Sequence, residues 1–178
     1  MKNHKKVLFI TYAAVIAALY TVLTYYAGVL NLASGVIQVR FSEALTILAA
    51  FTPAAIPGLY IGCIIANLLT PESVPLDAIF GSLATLIGAV GTYLLTHKKT
   101  ENGWKFKPGK KSMFLAPLPP VLSNTIIVPF ILAYVYQYEG GVPFFMLTVG
   151  IGEILSCYVL GVPLYSALVN KKDQIFLA

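Results

Sequence analysis

Apolar residues run in long blocks along this chain, and most polar positions fall between the blocks. Val7 to Leu30 is one block, Ala78 to Thr96 a second, Met113 to Tyr136 a third and Pro143 to Val169 a fourth. A helix needs about 20 residues to cross a bilayer, and each block has that order of length. Another apolar stretch, Val36 to Leu69, is interrupted at Pro53 and Pro57. Proline removes a backbone donor and forces a turn or kink. The stretch therefore predicts a hairpin of two helices, whose first arm is short enough to tilt or to stop short of spanning. The expectation is an all-α polytopic membrane protein, a single integral domain over 1–178. Its six transmembrane helices would be 7–30, 36–52, 55–69, 78–96, 113–136 and 143–169. A re-entrant hairpin would lower the crossings to four and leave both of its ends on one side.

Composition narrows the classes. Hydrophobic residues are 58% of the chain and charged residues 11%, against about 25% charged in a soluble domain. Mean hydropathy is +0.81. A globule this small leaves much of its surface exposed, so water is the wrong solvent. That excludes a soluble enzyme, a nucleic-acid module and a disordered tail. Lys2, Lys5 and Lys6 ahead of the first block imitate the start of a signal peptide. The block exceeds the usual h-region of about 7–15 residues, and no clean small-x-small site closes it. It is expected to be a retained helix.

The charges sort by side. Numbering the loops alternately places Lys2, Lys5, Lys6, Lys98, Lys99, Lys105, Lys107, Lys110, Lys111, Lys171 and Lys172 on one side, eleven of the twelve basic residues. Arg40 falls on the other side with Glu43, Glu72, Asp77 and Glu139. The positive-inside rule then puts both termini and the 97–112 loop in the cytoplasm. The lysine-rich loop reads as a topology signal beside anionic headgroups rather than a nucleic-acid site.

Polar side chains inside lipid are costly and are candidates for function. Glu153 sits ten residues beyond Pro143 in the last block. Asn67 lies near the outer end of the third helix and Asn124 near the middle of the fifth. Arg40 and Glu43 open the second helix, and Asp77 precedes the fourth. All six fall in the outer half or near the midplane, which implies one outward-facing polar pocket. Structural roles compete. Arg40 and Glu43, three apart, share a helix face and could pair. Asp77 could cap the helix from Ala78, and the asparagines could bond between helices. Glu153 resists such a role, because no basic residue lies in its own helix.

Enzyme chemistry finds little footing. His4 and His97 both fall on the cytoplasmic side, away from the carboxylates. No Ser/His pair suits a protease, no His/Glu cluster suits a metal, and no cofactor motif is present. Cys63 and Cys157 lack CxxC spacing and read as packing thiols. There is no G-x-x-x-x-G-K-[ST] loop, so a transporter of this kind needs an ion gradient, a leak or a partner ATPase. Ala13, Ala14, Ala17 and Ala18 form overlapping A-x-x-x-A pairs. Small residues four apart let another helix approach closely, whether from a partner or from this chain.

Taken together, the six-helix layout, small basic chain and alanine strip resemble the substrate-binding (S) components of energy-coupling-factor vitamin transporters. The run Gln38-Val39-Arg40-Phe41-Ser42-Glu43-Ala44-Leu45, the Pro53 hairpin and Ile151-Gly152-Glu153 resemble the queuosine-precursor transporter (QueT) family over nearly the whole chain. The resemblance implies an S component in the cell membrane that binds a micronutrient from outside. Through Ala13–Ala18 it would dock on a transmembrane T component carrying two cytosolic ATPases. The S component would topple in the bilayer, and ATP hydrolysis would reset it. The implied cargo is a 7-deazaguanine: preQ0, preQ1 or queuine.

The residue chemistry suits such a cargo. One edge of a deazaguanine presents a ring N–H and an amino group, and a carboxylate such as Glu153 or Glu43 accepts both. Arg40, Asn67 or Asn124 would donate to the ring carbonyl. Asp77 is available to neutralise an aminomethyl cation. Phe41, Tyr60, Tyr134 and Tyr158 are candidate stacking faces, against their ordinary use in packing or an interfacial belt. The rival readings are an S component for folate, riboflavin or another vitamin, a ligand-free membrane scaffold and, last, a membrane enzyme.

Overall fold

The computed structural model describes residues 2–30, 32, 39–70, 73–101 and 103–176. Gln38, at the start of the diagnostic run, lies outside them, as do residues 36 and 37 of the predicted second helix. The chain opens with α1 (Lys2–Val29), followed by a 3₁₀ segment (Phe41–Ala50), α2 (Ala55–Leu69) and α3 (Pro75–Thr96). A two-stranded hairpin follows, β1 (His97–Thr100) and β2 (Gly103–Phe106). Then come α4 (Lys110–Leu115) and α5 (Leu118–Phe130), the latter extended by a π segment over Ile131–Val135. The last long helix runs through α6 (Val142–Glu153), a π segment (Ile154–Leu160) and α7 (Gly161–Val169), and a short α8 (Lys172–Ile175) ends the described chain.

Two expectations change. Among the described residues, four helices are long and apolar enough to cross a membrane: Asn3–Val29, Pro75–Thr96, Lys110–Val135 and Val142–Val169. The two arms around Pro53 are shorter. Ten residues of 3₁₀ helix rise about 20 Å at ~2.0 Å each. The fifteen residues of α2 rise about 22 Å at ~1.5 Å each. Neither matches a hydrocarbon core of about 30 Å, so four of the six expected spans have the length to cross by themselves and the two arms of the Pro53 hairpin are shorter. The fold is also not purely α. The lysine-rich loop folds into an antiparallel hairpin, with His97 opposite Phe106 and Thr100 opposite Gly103. Gly103 takes φ +106, a left-handed conformation that a glycine adopts at little cost.

The polarity is that of a protein in lipid. Large apolar side chains such as Ile10, Val22, Leu68, Ile79, Leu147 and Val159 point outward, while Glu43, Asn67, Asp77, Asn124 and Glu153 are buried. The 3₁₀ segment is the centre of the bundle. Nine of its ten residues are buried, and it touches α1, α2, α3, α7 and the π segment beyond α6. Small side chains at Ser42, Ala44, Ala49 and Ala50 allow that crowding. Each π segment lies beside a proline, Pro129 or Pro163, which cannot donate to the turn before it.

The alanine strip divides in two. A Cβ on Gly58 would stand 2.7 Å from the Ala13 carbonyl oxygen, and one on Gly62 would stand 2.8 Å from that of Ala17. Gly58-x-x-x-Gly62 on α2 is thus what α1 packs against, the close approach that small residues permit. Ala17 is buried there, while Ala14 and Ala18 remain exposed. All four alanines line an outward-facing apolar groove of about 700 Å³ between α1 and α2.

Both described ends of the chain meet at one end of the bundle. Tyr12 donates to the Ile175 carbonyl at 2.8 Å, and Phe51 packs on Phe106, Tyr165 and Phe176. His97 stacks on Tyr93 at 4.0 Å, and burial lowers its pKa. The basic character of this end at neutral pH is therefore due to its lysines.

Candidate functional site

The 3₁₀ period of three places Arg40, Glu43 and Thr46 along one edge of the central segment. The Glu43 carboxylate accepts from the phenol of Tyr20 on α1. Thr85 of α3 donates to the same oxygen at 3.3 Å, and the Asn124 amide of α5 donates to the other at 3.5 Å. Three helices thus converge on one buried acid, which compensates part of the cost of removing it from water.

Glu153 approaches from the opposite wall. It is the last residue of α6 before the π segment, and π turns recur at functional sites. Cys157, one turn on, donates from Sγ to its Oε2 at 3.4 Å. The same sulfur lies 3.6 Å from the Glu43 carbonyl oxygen and 3.9 Å from the Thr46 hydroxyl. Ligand atoms of Glu43, Glu153 and Cys157 all fall within 4.8 Å of one another.

Toward the end of the bundle opposite the lysines, Arg40 Nη2 stands 4.0 Å from Asp77 Oδ2, with both side chains largely buried. The hydroxyl of Tyr136 donates to that Asp77 oxygen at 3.0 Å. Asn67 donates to Cys63 Sγ at 3.4 Å, and Thr85 Oγ1 lies 3.5 Å from the same sulfur. A Cβ on Gly81 would meet Asp77 and Asn67 at 3.3 and 3.4 Å. One chain of contacts therefore runs from Arg40 and Asp77, past Asn67, Cys63 and Thr85, to Glu43, Asn124 and Glu153.

Several structural roles read from the sequence change here. Arg40 pairs with Asp77 rather than with Glu43. Asp77 is not an N-cap, because α3 begins at Pro75 and is capped at Val74. Asn67 bonds within its own helix, whereas Asn124 does bridge helices. Phe41 is half-buried at the start of the 3₁₀ segment beside Arg40. Tyr158 is not brought to the cluster, since its hydroxyl donates to the Phe114 carbonyl at 3.1 Å. Tyr134 is exposed and stacks on Phe130. Tyr60 is half-buried on α2.

Tyr20, Thr85, Tyr136 and the two cysteines belong to the network and were not expected in it. For Thr85 and the two cysteines the one cue in the sequence is a spacing of four, or twice four, from an acid or amide, and Tyr20 and Tyr136 carry none. Asn67 follows Cys63, Cys157 follows Glu153, and Asp77, Gly81 and Thr85 form a stripe of small and polar residues on α3.

A profile for the QueT transporter matches residues 10–170. The chain belongs to the QueT transporter family. A relative in Lactococcus lactis subsp. cremoris (strain MG1363), the "Queuosine precursor transporter QueT", is 32% identical over 149 residues, covering 82% of this chain and 83% of that protein. No solved structure matches. Family membership makes the chain a transporter and not an enzyme, and with its long apolar helices it is a multi-pass membrane protein. The family resemblance read from Gln38 to Leu45, the Pro53 hairpin and Ile151 to Glu153 is thereby borne out.

Proposed function

We propose that this chain is the substrate-binding S component of an energy-coupling-factor importer and that its buried polar cluster holds a 7-deazaguanine queuosine precursor. One observation carries the reading. Glu43 and Glu153, from distant parts of a greasy chain, are buried side by side, and the relative in Lactococcus lactis is named for carrying a queuosine precursor. A carboxylate accepts both the ring N–H and the amino group on one edge of a deazaguanine. Glu43 or Glu153 serves as that acceptor, and Arg40, Asn67 or Asn124 donates to the ring carbonyl. Phe41 supplies a stacking face at the entry beside Arg40. Asp77 holds Arg40 in place and adds negative charge.

Cargo enters from the end that carries Arg40 and Asp77, and the lysine-rich end faces the cytoplasm, following the positive-inside rule. A transmembrane T component docks on the groove along α1, and two cytosolic ATPases supply the energy, because this chain has no phosphate-binding loop of its own. Mass spectrometry of the small molecule retained by the purified chain tests the cargo. A deazaguanine mass supports the reading; riboflavin, folate or another vitamin in its place overturns it.

A further inference from the structure

The buried polar band holds more acidic than basic side chains. Arg40, Glu43, Asp77 and Glu153 line it, three carboxylates against one guanidinium. Arg40 makes its ion pair with Asp77. Among the described residues, no cationic group forms an ion pair with Glu43 or Glu153.

The two glutamates also differ in how they are held. Glu43 is fixed by Tyr20, Thr85 and Asn124. Glu153 is 6% exposed. Its donors are the Cys157 thiol and the Asn124 amide that Glu43 also uses. A thiol is a weak donor, so lone pairs of Glu153 remain open to a ligand. The groups around Glu153 are Glu43 of the 3₁₀ segment, Arg40 at its start, Asn124 of α5 and Cys157 on its own helix. Arg40 is the one cation among them, and its ion pair is with Asp77.

A buried carboxylate is retained at tolerable cost when a cation or strong donors accompany it. The cluster supplies donors for Glu43 and no ion-paired cation for Glu153, because Arg40 is held by Asp77. Resting on the deazaguanine reading above, we propose that Glu153 is the counter-ion for a positive charge on the cargo. The ligand is then a 7-deazaguanine whose 7-substituent carries a protonated amine, and Glu153 sets the preference for that form over neutral analogues. Asp77 is less suited to the task because Arg40 and Tyr136 already occupy it.

Calorimetric titration of the purified full chain with three ligands on one ring tests this: 7-aminomethyl-, 7-hydroxymethyl- and 7-cyano-7-deazaguanine. The wild-type chain is expected to bind the amine about tenfold or more tighter than either neutral ligand. Glu153→Gln should erase that gap by weakening the amine alone, with the hydroxymethyl ligand bound as before. The wild-type ranking needs no variant, so equal affinities overturn the inference even where Glu153→Gln fails to fold. Equal affinities for the three ligands, or a gap that survives Glu153→Gln, would overturn the counter-ion role and leave the deazaguanine reading intact. Failure of all three ligands to bind would overturn that reading and this inference with it.

Discussion

Tyr20→Phe removes one of the donors that hold Glu43 in an apolar bundle. Leaving a buried acceptor short of a partner costs about 1–3 kcal/mol. The detergent-solubilised variant should melt at a lower temperature than the wild type, and an unchanged Tm would mean that the phenol does not hold the acid. Glu153→Gln should instead act on cargo, weakening binding of 7-aminomethyl-7-deazaguanine by about 1–3 kcal/mol in an equilibrium titration. Unchanged affinity would remove Glu153 from the site. At this scale the sequence made the costly residues legible. Glu43, Asn124 and Glu153 stood out because carboxylates and amides seldom sit in apolar runs without cause. Tyr20, Cys63 and Cys157 did not, because tyrosine and cysteine are ordinary core residues. Their roles depend on which neighbours the fold brings within 4 Å.

At the scale of elements, α1 has two faces that alanine spacing alone could not separate. Ala17 lies against Gly62, so Ala17→Trp should force α1 from α2 and destroy folding and ligand binding together. Ala14 is exposed in the groove, so Ala14→Trp should retain ligand binding by the purified subunit and abolish uptake by cells. Loss of binding in Ala14→Trp would make the groove part of the internal packing. The Pro53 break was legible because proline disrupts a helix for local reasons. The 3₁₀ form of Phe41–Ala50 was not, because an uninterrupted apolar run carries no period to distinguish helix types. The hairpin was missed because its strands are only four residues each. Its sequence cue, Asn102-Gly103, favours a tight turn but lies among lysines, whose charge is the stronger signal.

For the whole molecule, the positions of the charges were legible before any geometry. Alternating loops put eleven lysines on one side, and the bundle brings the elements that carry them to one end. Their orientation in the membrane is open to a direct check. Cys63 and Cys157 are buried, so cysteines introduced at exposed Lys99 and Glu139 would be the reactive ones. A membrane-impermeant thiol reagent should label Glu139→Cys in intact cells and Lys99→Cys only after permeabilisation. The reverse pattern would invert the topology.

In the proposed function, rare polar side chains meet inside a lipid-facing bundle to grip a flat, edge-bonded heterocycle. Competition binding to the purified full chain tests it most directly, with labelled 7-aminomethyl-7-deazaguanine displaced by deazaguanines, folate or riboflavin. The expected result is saturable binding that deazaguanines displace and the two vitamins do not, lost on Glu43→Gln combined with Glu153→Gln. Saturable binding that survives the double substitution, or no binding at all, would contradict it.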